Sequence, residues 1–86
     1  MTELSLEQVM GRVLEIAKQT APGAAQIAPE SSLIRDLALD SLQALELVSD
    51  VETEFGVTFP SEALPEIDSL ADVAKLVLEL RRERAE

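Results

Sequence analysis

The 86-residue chain has no cysteine, no histidine, no tryptophan and no tyrosine. Without cysteine no disulfide can staple the fold, and without cysteine or histidine the usual structural zinc ligands are missing. The same two absences remove the side chains on which most nucleophile–base pairs are built. Aromatic residues are reduced to Phe55 and Phe59, so aliphatic packing must supply the core. Basic residues are scarce, with 7 Lys and Arg against 17 Asp and Glu and a net charge of −10. A nucleic-acid binder needs cations to displace counterions from phosphates, so no nucleic-acid partner is expected. An anionic lipid surface repels such a chain for the same reason. No apolar run approaches the roughly 20 residues that span a bilayer, and no basic start followed by an apolar run opens the sequence. Stable membrane insertion and a secretory signal are therefore not expected, and a cytoplasmic location is.

What remains is rich in Leu, Val, Ala and Ile, and 47% of residues are hydrophobic. Aliphatic, aromatic-poor composition favours helices over strands. The length fits a single domain over residues 1–86. A domain this small hides only about 60–65% of its unfolded-chain surface.

Four helices are expected, over about 5–19, 41–55, 61–65 and 69–83. In the first, Leu6, Val9, Met10, Val13, Leu14 and Ala17 recur at helical spacing. Ser5 and Gln8 have the spacing of a capping box, and Ala21-Pro22-Gly23 ends the helix. A long connection follows, which Ile27, Leu33, Ile34, Leu37 and Leu39 are expected to pin to the core. Connections of this length in a small domain are often functional. Asp40 and Gln43 form a second capping box, and Gly56 stops the second helix. Val57 to Pro60 reads as extended. Ser61 to Leu64 makes about one helical turn at Pro65, too short to stand without tertiary support. The last helix is capped by Asp68 or Ser69, with Asp72 three residues after Ser69. It buries Leu70, Val73, Ala74, Val77, Leu78 and Leu80, with Asp72, Lys75 and Glu79 opposite and Arg81 and Arg82 at its dipole-negative end. The fold class is all-α, a small four-helix bundle of three long helices and one short one.

Ser41 falls at the first position of the second helix. The first backbone N–H groups of a helix lack internal partners, and the dipole adds partial positive charge there. A phosphate on Ser41 would sit where anions are favoured, by about 0.3–1 kcal/mol at an exposed site. Leu42 is unusual. At about 100° per residue, Ala44, Leu47, Val48, Val51 and Phe55 share one arc, whereas Leu42 lies among Glu46, Ser49 and Thr53. Either Leu42 meets something other than its own core or the preceding loop folds over it. Spacing alone leans slightly towards the loop.

The run Asp36-Leu37-Ala38-Leu39-Asp40-Ser41-Leu42 resembles the signature of acyl carrier proteins and the related peptidyl carriers. Leu45-Glu46-Leu47-Val48 and Glu52-Thr53-Glu54-Phe55-Gly56-Val57 are similar to the rest of that family's second helix and its exit. Ile67-Asp68-Ser69-Leu70-Ala71-Asp72-Val73 is similar to the start of its last helix. The likeness covers nearly the whole chain. It implies that Ser41, flanked by Asp40 and Leu42, receives 4′-phosphopantetheine covalently from coenzyme A. It also explains the missing cysteine, since the reactive thiol belongs to the pantetheine arm. A separate phosphopantetheinyl transferase must supply the base and metal. The implied function is a monomeric, non-enzymatic carrier that holds acyl intermediates as thioesters for fatty acid or polyketide biosynthesis. Acyl-loading and condensing enzymes with basic patches are the implied partners. Two positions depart from the family pattern: Gly is frequent where Ala38 stands, and Met is common where Ser49 stands, a position that often touches partner enzymes.

Glu46, Asp50 and Glu54, spaced by four, form one stripe beginning near Ser41. Like charges at that spacing cost about 0.2–0.5 kcal/mol per pair, and no Lys or Arg lies anywhere in residues 36–74. A solvated face would need no function. The resemblance implies that partners read this helix through Asp40, Leu42, Glu46, Ser49, Asp50 and Glu54, and through Glu52, which points nearer the core side. It also implies that an acyl chain can lie between helices, with Ala44, Ala63, Ala71, Leu45 and Leu64 as candidates to leave room. Two other readings stand beside this one. Leu39 before Asp40 is similar to polyketide and peptidyl carriers, so an aminoacyl or peptidyl cargo is open, although the strong acidity is similar to the free-standing acyl carriers. An unmodified helical adaptor binding a basic partner is the other.

Overall fold

The computed structural model describes residues 5–24 and 26–85. The remaining positions of the expected 1–86 domain lie outside the described residues. Three α-helices and one short 3-10 helix make up the fold: α1 (Leu6–Thr20), α2 (Ser41–Phe55), the 3-10 helix (Ser61–Glu66) and α3 (Leu70–Ala85). The class is all-α, as expected. Among the described residues the one β-type pairing is an isolated bridge between Ser32 and Ser69.

Each long helix starts on a reciprocal cap. The Ser5 hydroxyl accepts from the Gln8 amide at 3.1 Å, and the Gln8 side chain accepts from the Ser5 amide at 2.9 Å. Ser69 and Asp72 repeat the exchange at the start of α3, at 3.3 and 3.0 Å. The Asp72 carboxylate also accepts from the Asp68 amide. Asp72, three residues after Ser69 and opposite the apolar face, folds back over the helix start as that spacing implies, because two orphan amides there offer it hydrogen bonds. Its carboxyl is held below its ordinary pKa, first by the Ser69 amide and then by that of Asp68.

The core is the shared aliphatic interior of the helices. Val9, Val13, Ile16 and Ala17 of α1 meet Leu47, Val48, Val51 and Phe55 of α2 and Leu70, Val73, Ala74 and Val77 of α3. Leu6, at the first helical position, is exposed instead. Leu78 and Leu80 are only partly buried against this core. At the far end of α2, Gly56 takes the left-handed conformation with φ 65°. Val57 and Phe59 then turn inward while Thr58 faces out, the period-two pattern of an extended segment. Arg81 of α3 donates to the Phe55 carbonyl at 3.1 Å, so this cation serves the negative end of α2.

The long connection is fastened to the start of α3. Leu33 donates to the Asp68 carbonyl at 2.9 Å, Leu70 to that of Ser31 at 3.2 Å and Ala71 to that of Pro29 at 2.7 Å. The buried Ser32 hydroxyl donates to Asp68 at 3.2 Å. Leu33, Leu37 and Leu39 are buried as expected, but Ile34 is not: it is 59% exposed. The amides of Asp36 and Leu37 both bond the Ser32 carbonyl, which winds this segment into a tight turn. Leu33 and Leu37 share its inner side, and Ile34, one step round, faces out. Ala38, next in line, sits at φ 56°, a left-handed conformation unusual for a residue with a Cβ.

Candidate functional site

Asp40 fixes where α2 begins. Its carboxylate accepts from the Gln43 amide at 2.8 Å, and the Gln43 side chain accepts from the Asp40 amide at 3.1 Å. The Ala44 amide makes the first helical bond, to the Asp40 carbonyl at 2.9 Å. Of the four amides that a helix start leaves without internal partners, those of Asp40 and Gln43 are thus satisfied. Among the described residues no acceptor meets those of Ser41 and Leu42, which are open to an external one. Ser41 itself is exposed, and α2 has no acidic residue in its first turn. An anion on the Ser41 hydroxyl would therefore find two free N–H donors and the positive end of the helix, with the Asp40 carboxylate already committed to its cap. A phosphodiester fits this arrangement.

Apolar side chains surround the serine. Leu42 is 68% exposed and Leu45 53%. The preceding loop therefore does not fold over Leu42, contrary to the leaning from spacing: Leu39 turns into the core, and Ile34 stands out beside the site instead. A groove of about 420 Å³ runs from Ser41 between α2, the connection and the 3-10 helix, lined by Leu33, Ile34, Ala44, Leu45, Val48 and Leu64 among others. Its size falls within the range of about 300–1,000 Å³ typical of small-ligand sites. Ala44, Leu45 and Leu64 line it as the sequence suggested, but Ala63 and Ala71 do not. Ala71 belongs to a separate groove between α1 and α3. Ile34 was missed as a site residue, since a loop has no period from which to read its facing.

The acidic residues of α2 divide into different settings. Glu46, Ser49 and Asp50 are exposed. Glu46 and Asp50 border neutral Gln19, Thr20 and Gln43 in a polar cleft. Glu52 is half-buried and accepts from the Phe59 amide at 2.6 Å, holding the helix exit. Glu54 is gripped by Arg12 of α1, with Nε and Nη2 of the guanidinium each 3.0 Å from a carboxylate oxygen. That hydrogen-bonded partner holds the Glu54 carboxyl below its ordinary pKa. Among the described residues no group of His, Cys, Asp and Glu could hold a metal.

The family described as the phosphopantetheine attachment site matches residues 5–77. The chain belongs to that family. Its relatives include an acyl carrier protein of Helicobacter pylori (strain G27), 40% identical over 62 residues that cover 72% of this chain and 80% of the relative. They also include the meromycolate extension acyl carrier protein of Mycobacterium leprae (strain TN), 31% identical over 81 residues, 93% of this chain and 70% of the relative. As an acyl carrier protein, the chain bears covalent 4′-phosphopantetheine and deals with acyl-handling enzymes and a phosphopantetheinyl transferase. Among the described residues no helix is long and apolar enough to cross a membrane.

Proposed function

We propose that Ser41 is the attachment point and that the protein carries acyl intermediates of fatty acid or polyketide type. The observation that supports this most is the exposed serine at the first position of α2, beside two free amides and at the mouth of an apolar groove. When bound, the prosthetic group supplies a thiol on a long flexible arm, on which acyl units are held as thioesters. The protein's own residues do the rest. Asp40 and Gln43 hold the helix start, so that Ser41 is presented at its tip. The amides of Ser41 and Leu42 would hold the phosphate of the bound group by hydrogen bonds. Ile34, Leu42 and Leu45 offer apolar contact to a docking enzyme, and the groove that Ile34 and Leu45 line shields the first part of an apolar cargo from water. Asp40, Glu46, Ser49 and Asp50 form the polar side of the same docking face, where carboxylates steer basic surfaces towards the serine. The protein is in this reading a substrate and carrier rather than an enzyme, a cytoplasmic monomer. The acyl reading is favoured over an aminoacyl one by an apolar groove that offers no buried charge to pair with an amine.

Mass spectrometry tests the proposal. Incubation of the chain with coenzyme A and a broad-specificity phosphopantetheinyl transferase should add the mass of phosphopantetheine, and Ser41→Ala should abolish the gain. No gain on the wild-type chain would favour an unmodified adaptor. A gain that survives Ser41→Ala would move the attachment elsewhere. Loading the arm by an aminoacyl-activating enzyme, and not by an acyl-loading one, would overturn the cargo.

A further inference from the structure

The stripe Glu46–Asp50–Glu54 is continuous in sequence but not in its availability. Arg12 meets Glu54 with two nitrogens, one on each carboxylate oxygen, and turns its third nitrogen to Glu15 on its own helix. This fork-to-fork geometry is the strong and directional form of an ion pair. No such partner reaches Glu46 or Asp50 among the described residues. A basic side chain arriving at Glu46 or Asp50 replaces water. At Glu54 it must first displace a guanidinium that already satisfies both oxygens, exchanging one cation for another.

We propose that Arg12 is a specificity-determining residue: by occupying Glu54 it sets the far limit of the docking face on α2. The face open to a basic partner then ends at Asp50, about one helical turn short of where the sequence places it. Partners are held close to Ser41, and a basic patch long enough to require Glu54 is disfavoured. Arg12 lies on α1 and does not line the groove; its other partner, Glu15, is on its own helix, so it bears on α2 through Glu54. The inference rests on the reading of α2 as the docking face, and the test separates the two.

The test is the steady-state rate at which a phosphopantetheinyl transferase modifies the full-length apo chain at low ionic strength. Arg12→Gln should raise kcat/KM by about two- to fivefold, through KM, as a freed carboxylate joins the steering field. Adding Glu54→Gln to that variant should remove the gain. Lys18→Gln makes the same change in net charge on the same helix without freeing a carboxylate of α2, and should give a smaller rise. The gain should vanish in about 1 M salt, where the screening length falls to about 3 Å. The proposal is overturned if Arg12→Gln gives no gain, if the gain survives Glu54→Gln, or if Lys18→Gln matches it. Glu46→Gln and Asp50→Gln test the underlying reading separately. If neither lowers kcat/KM in the wild-type background, the docking face itself is misplaced, whatever Arg12 does.

Discussion

Replacing Ala38 by glycine should stabilise the protein. Two described residues hold a left-handed backbone, Gly56 at φ 65° and Ala38 at φ 56°. At the first, glycine carries no penalty. At the second, an L-residue brings its Cβ close to the following carbonyl, at roughly 1–2 kcal/mol. Glycine relieves that strain but adds freedom to the unfolded chain, which takes back about 0.4–1 kcal/mol. The Ala38 side chain is exposed, so its removal leaves no cavity. The balance is a net gain of about 0.5–1 kcal/mol. For a domain of this size each kcal/mol moves Tm by about 4–8 °C, so Ala38→Gly should melt about 2–8 °C higher by circular dichroism. Ala38→Val should move the other way, because a β-branched residue tolerates this region worst. If glycine lowered Tm and valine left it unchanged, the turn before Ser41 would not hold this conformation in solution, and the strain argument would fail.

Two further perturbations probe the core and the cap of α3. Leu47 is fully buried, and Leu47→Ala should cost about 2–5 kcal/mol; a urea midpoint within error of wild type would contradict its place in the core. The Asp72 carboxyl is held below its ordinary value of 3.8 by the Ser69 and Asp68 amides. A folded-state pKa below the unfolded one adds stability above the unfolded value, which is lost as pH falls through the folded one. Asp72→Asn should thus be less stable than wild type at pH 7, with the gap closing as pH is taken well below 3.8; a gap of constant size in urea titrations across that range would refute the assignment.

Features set by neighbours in sequence could be read directly. Both early capping boxes, Ser5–Gln8 and Asp40–Gln43, form as their spacing implied, because a cap needs only residues three apart. The inward arc of α2 followed from helical period. Features that depend on distant partners could not be read. Arg12 and Glu54 are 42 positions apart, and nothing in either helix announces the pair. The outward turn of Ile34 depends on two amides converging on one carbonyl, a geometry with no periodic trace. Likewise Arg81 was placed at the end of its own helix, whereas it reaches the end of α2. The serine itself was legible in position from the cap, but its proposed role came from the resemblance and not from the physics of a helix start.

The groove beside Ser41 has unequal walls. On one side the connection is tied to α3 by backbone hydrogen bonds and by a buried serine. On the other stands the 3-10 helix, which buries no residue fully, contains Pro65 and has no side-chain cap. Its exit is closed by a single bond of 3.2 Å from Ile67 to Leu64. Local opening has its lowest free energy where buried contacts and backbone bonds are fewest. Opening of the groove is therefore expected first at Ser61–Glu66, with the wall built by the connection holding its register. If cargo lies in this groove, as proposed, the yielding wall would admit chains of different length without moving the proposed attachment point at Ser41.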